Sequence, residues 1–105
     1  MARPRKWRKV CCLPASDKFG PLNGNEINSN FIKMSIDEYE TIRLIDLAGF
    51  TQEKCANQMA IARTTVQAIY NEARQKIAKS LVHGYVLIIE GAGGLMVPIE
   101  KDLFI

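Results

Sequence analysis

At 105 residues with 48% apolar side chains, the chain has enough for one small core, and a deep enclosed active site is not expected. No run of about 18 apolar residues exists, which excludes a membrane span. The formal net charge of +3 hides an uneven distribution. Residues 1 to 18 carry Arg3, Arg5, Lys6, Arg8, Lys9 and Lys18 against Asp17 alone, while eight bases and ten acids share the rest. A basic arm on a near-neutral body points to a polyanion as partner, and nucleic acid is the commonest one. That arm has no apolar stretch after it of the kind a secretory signal needs, so a cytoplasmic location is expected.

In chain order, residues 1–30 hold Pro4, Pro14, Pro21 and the turn-rich "GPLNGNEINSN", and read as an arm followed by an irregular loop. The segment 31–84 reads as the folded domain, and 85–105 as a strand with a tail. "NFIKM" at residues 30–34 reads as a short strand. Ser35-Ile36-Asp37-Glu38 then forms an S-x-x-E capping box, and Asp37 and Glu38 complement the positive end of a helix. Ile36, Tyr39, Ile42 and Ile45 recur at near-helical spacing, so a first helix runs to about Ala48, with Gly49 as its stop. Glu40 and Asp46 fall on the polar side and are expected to form a solvated face.

Thr51 is a second N-cap, opening a short helix from Gln52 to Met59. A third, longer helix starts near Arg63 and runs to about Val82, with Val66, Ile69, Tyr70, Ala73, Ile77 and Leu81 as its apolar seam. Gly84 ends it. "YVLIIE" at 85–90 is a strand by composition, and "LMVPI" is confined to a sheet edge by Pro98.

Two helices joined by a turn of three to four residues, the second longer and basic toward its end, describe a helix-turn-helix. Ala56 is small where the two helices must cross. Ala60 stands in the tight turn, where Gly or Asn usually supplies a positive φ. With Val66 and Ile69 inward, Arg63, Thr64, Gln67, Ala68 and Asn71 face outward, and their chemistry suits base edges in the major groove. Arg forks onto guanine, Gln pairs with adenine, and a Thr methyl lies on the methyl of thymine. Thr65 and the helix N-terminus suit a phosphate, as do Arg74, Lys76 and Lys79 along the helix and Arg3, Arg5, Lys6, Arg8 and Lys9 in the arm. The arm also suits a groove edge or a minor groove, while its lone Trp7 is expected to pack on the core.

Cys11, Cys12 and Cys55 are odd in number and contain no C-x-x-C, which argues against an oxidised framework. Cys11 and Cys12 are weak metal candidates because vicinal thiols point apart; Cys55 reads as a small core hydrophobe. No metal, cofactor or catalytic constellation is expected, and the chain does not read as an enzyme.

"RPRKWRKVCCLP", "IDEYETIRLIDLAGFTQEKCANQM" and "ARTTVQAIYNEARQKIA" resemble a family of small, uncharacterised, predicted DNA-binding proteins of bacteria and archaea. Its helix-turn-helix is similar to that of sigma-factor region four. The resemblance implies a mainly α fold: a three-helix helix-turn-helix with a basic N-terminal arm and a small β element near the C-terminus. It also implies a transcriptional regulator that binds double-stranded DNA. A sigma-like module docking on RNA polymerase and a thiol- or metal-responsive regulator are the alternatives, and a homodimer would supply two half-sites. A second stretch, "VLIIEGAGGLMVPI", resembles the glutamate-glycine loop of dethiobiotin synthetase, with Glu90 as the acid and Gly91, Gly93 and Gly94 as the loop. Such an enzyme also needs a G-x-x-x-x-G-K-[ST] phosphate cradle, and this sequence contains no Gly-Lys pair. The stretch therefore reads as a strand and turn.

Overall fold

A computed structural model describes residues 8–10, 14, 16–23, 30–90 and 96–97. The elements are β1 (Arg8–Lys9), β2 (Lys18–Phe19), β3 (Phe31–Ser35), α1 (Ile36–Thr41) with a π-helical continuation (Ile42–Leu47), α2 (Gln52–Met59), α3 (Arg63–His83), β4 (Val86–Glu90) and β5 (Met96–Val97). The fold is mainly helical, with three helices and a small three-stranded sheet. It is compatible with a helix-turn-helix that carries a C-terminal strand. No helix of the described residues is long and apolar enough to cross a membrane.

The sheet has the order β2-β4-β3. Strand β4 is central, antiparallel to β2 and parallel to β3, with Phe31 opposite Val86 and Ser35 opposite Glu90. The pairing of "YVLIIE" with "NFIKM" thus occurs within one chain. Parallel neighbours need a long crossover, and here all three helices supply it. Strand β1 pairs in parallel with β5. Two-residue strands such as β1 and β2 show no alternation, which is why residues 1–30 read as loop throughout.

The helix boundaries follow local chemistry. Ser35 caps α1: its hydroxyl oxygen accepts from the Glu38 N–H at 3.3 Å, and its own N–H donates to Glu38 Oε1 at 2.9 Å. The Ser35 hydroxyl also donates to the Asp37 carboxylate. Thr51 caps α2 by accepting from the Lys54 N–H at 3.0 Å. Gly84, at φ +73°, ends α3 in the left-handed region that a Cβ disfavours.

Ala60 adopts φ 60° and ψ 44°, the left-handed conformation itself. It closes α2 as a Schellman-type turn, in which the N–H of Ile61 donates to the Ala56 carbonyl at 3.1 Å. Holding an L-residue there costs about 1–2 kcal/mol. Ala60→Gly is therefore expected to raise the unfolding free energy by about 1 kcal/mol in urea denaturation.

Two apolar clusters hold these elements together. The first joins sheet and helices: Val10, Met34, Ile36, Ala73, Leu87 and Ile89, with Ile32, Tyr39, Ile42 and Ile77 against them. The second lies under the α2–α3 turn: Leu44, Cys55, Ala56, Met59 and Val66, flanked by Ile45, Phe50 and Ile61. The π-helical continuation of α1 serves both. Its wider turn, marked by the Ala48 N–H donating to the Arg43 carbonyl at 2.9 Å, leaves Ile42 on the first cluster and Leu44 and Ile45 on the second.

Three expectations need correction. Glu40 is not part of a solvated face: it is fully buried, and Arg43 grips it with Nε at 3.0 Å and an Nη at 2.9 Å. Asp46 is partly exposed but is not merely solvated, because it accepts the Tyr70 hydroxyl at 2.7 Å. Leu81 does not continue the α3 seam and is 79% exposed. Steps of four residues advance each position by about 40° around a helix, so Ala73 and Ile77 remain inward while Leu81 has rotated off the core.

Cys55 is buried beside Met59. Burial first, and the nearby Glu40 second, push its thiol from an ordinary 9.0 up to about 11, against a lowering by Arg43. The folded chain thus holds this proton more tightly than the unfolded one. The associated stability is complete below about pH 9 and is lost as pH rises through about 11. Denaturation at pH 8 and pH 10.5 is expected to show a steeper loss in the wild type than in Cys55→Ala.

A candidate DNA-reading surface on the third helix

The outward face of α3 is fixed from beneath. Val66 and Ala73 are fully buried, and Val66 packs with Cys55, Ala56 and Met59 where α3 crosses α2. At about 100° per residue, Arg63, Thr64, Gln67, Ala68 and Asn71 then occupy an arc of about 140° on the opposite side. All five are exposed, and Thr65 is half-buried beside them. The five residues expected to meet base edges thus form one surface, at the N-terminal end of a 21-residue helix. The helix begins after Ala62, whose side chain cannot cap it, and the Val66 N–H donates to the Ala62 carbonyl at 3.0 Å.

The basic residues of α3 divide by environment. Lys79 is exposed. Arg74 is 64% exposed, with its Nε 3.8 Å from Asp46 Oδ2 and its guanidinium 5.4 Å from the centre of the Tyr70 ring. Lys76 points the other way: its ammonium donates to both Glu38 oxygens, at 2.8 and 3.0 Å, and ties α3 to the start of α1. Lys76 is thus a structural link between helices.

Asp46, Tyr70 and Arg74 form a small polar set flanking the outward face. Partial burial first, then the hydrogen bond to Asp46, raise the Tyr70 hydroxyl above its ordinary value. Nothing in the spacing of Asp46 and Tyr70, 24 residues apart, signals their contact. The Glu40–Arg43 pair, by contrast, has i,i+3 spacing and is a signal available in the sequence.

Arg8 and Lys9 form the backbone of β1. Arg3, Arg5, Lys6, Trp7, Cys11 and Cys12 lie outside the described residues, as do Gly91, Gly93 and Gly94 of the glycine loop. Among the described residues, no group of three or more His, Cys, Asp or Glu side chains is placed to hold a metal ion.

Residues 1–96 match a family model described as protein of unknown function DUF134. The chain belongs to the DUF134 family. Its relatives carry the name UPF0251. One from Desulfitobacterium hafniense is 68% identical over 91 residues, covering 87% of this chain and 73% of its own. One from Caldicellulosiruptor saccharolyticus is 46% identical over 91 residues, 63% of its length. One from Chlorobaculum tepidum is 38% identical over 104 residues, 99% of this chain and 52% of its own. The DUF134 chain described here thus spans between half and three quarters of the length of these relatives. No solved structure matches it.

Proposed function

We propose that this DUF134 chain is a sequence-specific double-stranded-DNA-binding protein that regulates transcription, with the N-terminal half of α3 entering the major groove. The observation that carries this reading is the single exposed face of Arg63, Thr64, Gln67, Ala68 and Asn71 above a fully buried Val66. Arg63 and Gln67 sit one helical turn apart, as reading adjacent base edges requires. Each makes a two-pronged contact, Arg to guanine and Gln to adenine, that discriminates by about 1–3 kcal/mol. Thr64 and Ala68 add short apolar surface suited to a thymine methyl.

Affinity has a separate source. Arg74 and Lys79 flank the outward face, and the basic arm Arg3, Arg5, Lys6, Arg8 and Lys9 adds phosphate contacts that carry no sequence information. Lys76 is omitted from that set because Glu38 holds it. Binding of labelled duplex measured across a range of salt tests the division. Replacing Arg3, Arg5 and Lys6 together by alanine is expected to weaken all duplexes alike and to reduce the slope of log K against log salt by about 3. An unchanged slope would remove the arm from the interface, and absence of salt-dependent binding in the parent protein would overturn the function.

A further inference from the structure

Arg63, Gln67, Tyr70 and Arg74 follow one another along α3 at steps of four, three and four residues, which places them within an arc of about 60°. Tyr70 and Arg74 are therefore in line with the two side chains assigned to guanine and adenine. Arg74 stands about 10 Å along the helix axis beyond Gln67. The major groove is about 12 Å wide, so a side chain at that distance from the base-reading ones meets the rim, where the phosphates run. A residue outside α3 holds Arg74 there. Asp46 offers one carboxylate oxygen to each of two partners: Oδ1 accepts the Tyr70 hydroxyl at 2.7 Å, and Oδ2 lies 3.8 Å from Arg74 Nε. The guanidinium in turn lies 5.4 Å from the centre of the Tyr70 ring, one turn back on the helix, which closes a triangle of three side chains.

We infer that Asp46 and Tyr70 are positioning residues for DNA binding: they hold the Arg74 guanidinium at the groove rim, ready for a backbone phosphate. The inference rests on the DNA-binding reading and adds to it two residues that act through Arg74. Asp46 has a firm base, since Leu44 and Ile45 of the same π-helical stretch belong to the second apolar cluster and Leu44 is fully buried. Arg74, by contrast, is 64% exposed. An exposed pair at this distance adds little to stability, so its effect lies in where the guanidinium points. With Nε turned to Asp46, the two Nη groups, which carry four of the five N–H donors, are left for a phosphate.

The sign of the Asp46 contribution separates positioning from charge alone. An acid close to DNA repels phosphate. A phosphate oxygen about 3 Å beyond the guanidinium stands about 7 Å from the Asp46 carboxylate, where repulsion at about 0.15 M salt weakens binding less than about twofold. Ordering a long, flexible side chain on binding costs more, about 2- to 12-fold in affinity, and a guanidinium already held avoids much of that. Asp46 thus favours binding on balance despite its charge. Its removal weakens the complex, where simple electrostatics has the complex tighten.

Titration of the full chain onto a preferred duplex and a scrambled one, across a range of salt, tests this. Asp46→Ala is expected to weaken both duplexes about three- to fivefold, and Tyr70→Phe both by a smaller factor, with the ratio between duplexes kept. Arg74→Ala is expected to lower the slope of log K against log salt by about 1. In the Arg74→Ala chain, Asp46→Ala and Tyr70→Phe are expected to weaken binding no further, whereas a change that merely loosens the fold weakens it in both backgrounds. Without DNA, nuclear magnetic relaxation of Arg74 Nε is expected to show an ordered group in the wild type and a mobile one in Asp46→Ala. Tighter or unchanged binding by Asp46→Ala, an equal loss in the Arg74→Ala background, or an Nε equally mobile in both chains overturns the positioning and leaves the DNA-binding reading intact. A wild-type chain that binds neither duplex overturns both, whatever the order at Nε.

Discussion

Replacing Arg43 by alanine is expected to lower the unfolding free energy by about 3–5 kcal/mol, measured by urea denaturation at neutral pH. The reason is what remains behind. Glu40 is fully buried, and Arg43 presents Nε and an Nη to its two oxygens at 3.0 and 2.9 Å, with the Arg43 side chain itself only 10% exposed. Removing the guanidinium takes from a buried carboxylate the two-pronged charge partner that offsets its desolvation. The double replacement of Arg43 and Glu40 by Met and Leu is expected to recover much of the loss, because a buried pair is weak evidence of net stability but a broken one is costly. A loss below about 1 kcal/mol for Arg43→Ala would mean that the pair is exchangeable with solvent.

The same pair separates what the sequence shows from what only the fold decides: its i,i+3 spacing is legible, its burial is not. Helix ends were legible because caps are local: Ser35 with Glu38, Thr51 with the following turn, and Gly84 all act within a few residues. The outward face of α3 was legible too, since one buried valine fixes the direction of its neighbours around the helix. The strained position of Ala60 followed from the tightness of the turn it occupies. What escaped depends on tertiary contact. Glu40 has an ordinary polar spacing, and only its burial turns it from a surface acid into an internal one. The π-helical stretch at 42–47 escaped because Ile36, Tyr39, Ile42 and Ile45 fit an α-helical period equally well; serving two apolar clusters is what widens the turn. Lys76 reads as one more base on a basic helix, and only the fold brings Glu38, 38 residues away in sequence, within reach of it.

Arg63→Ala and Gln67→Ala are each expected to cost about 1–3 kcal/mol on a preferred duplex, and to lose most of that difference on an unrelated one. Both side chains are exposed, so neither change removes core packing, and thermal unfolding should be preserved within about 0.5 kcal/mol. Asp46 is a poor control here because it holds Tyr70 and lies near Arg74. Lys33, exposed on β3, is a better one: its removal takes away a positive charge from a strand rather than from α3.

The most direct measurement is a selection from genomic fragments with purified protein at two salt concentrations, followed by titration of wild type, Arg63→Ala, Gln67→Ala and Lys33→Ala on the selected site and on its scrambled counterpart. The account predicts a recurrent site, and a ratio of affinities that falls about 5- to 150-fold in the two α3 variants while Lys33→Ala keeps the wild-type ratio. Selection of no recurrent site, or ratios for Arg63→Ala and Gln67→Ala indistinguishable from that of Lys33→Ala, would contradict it.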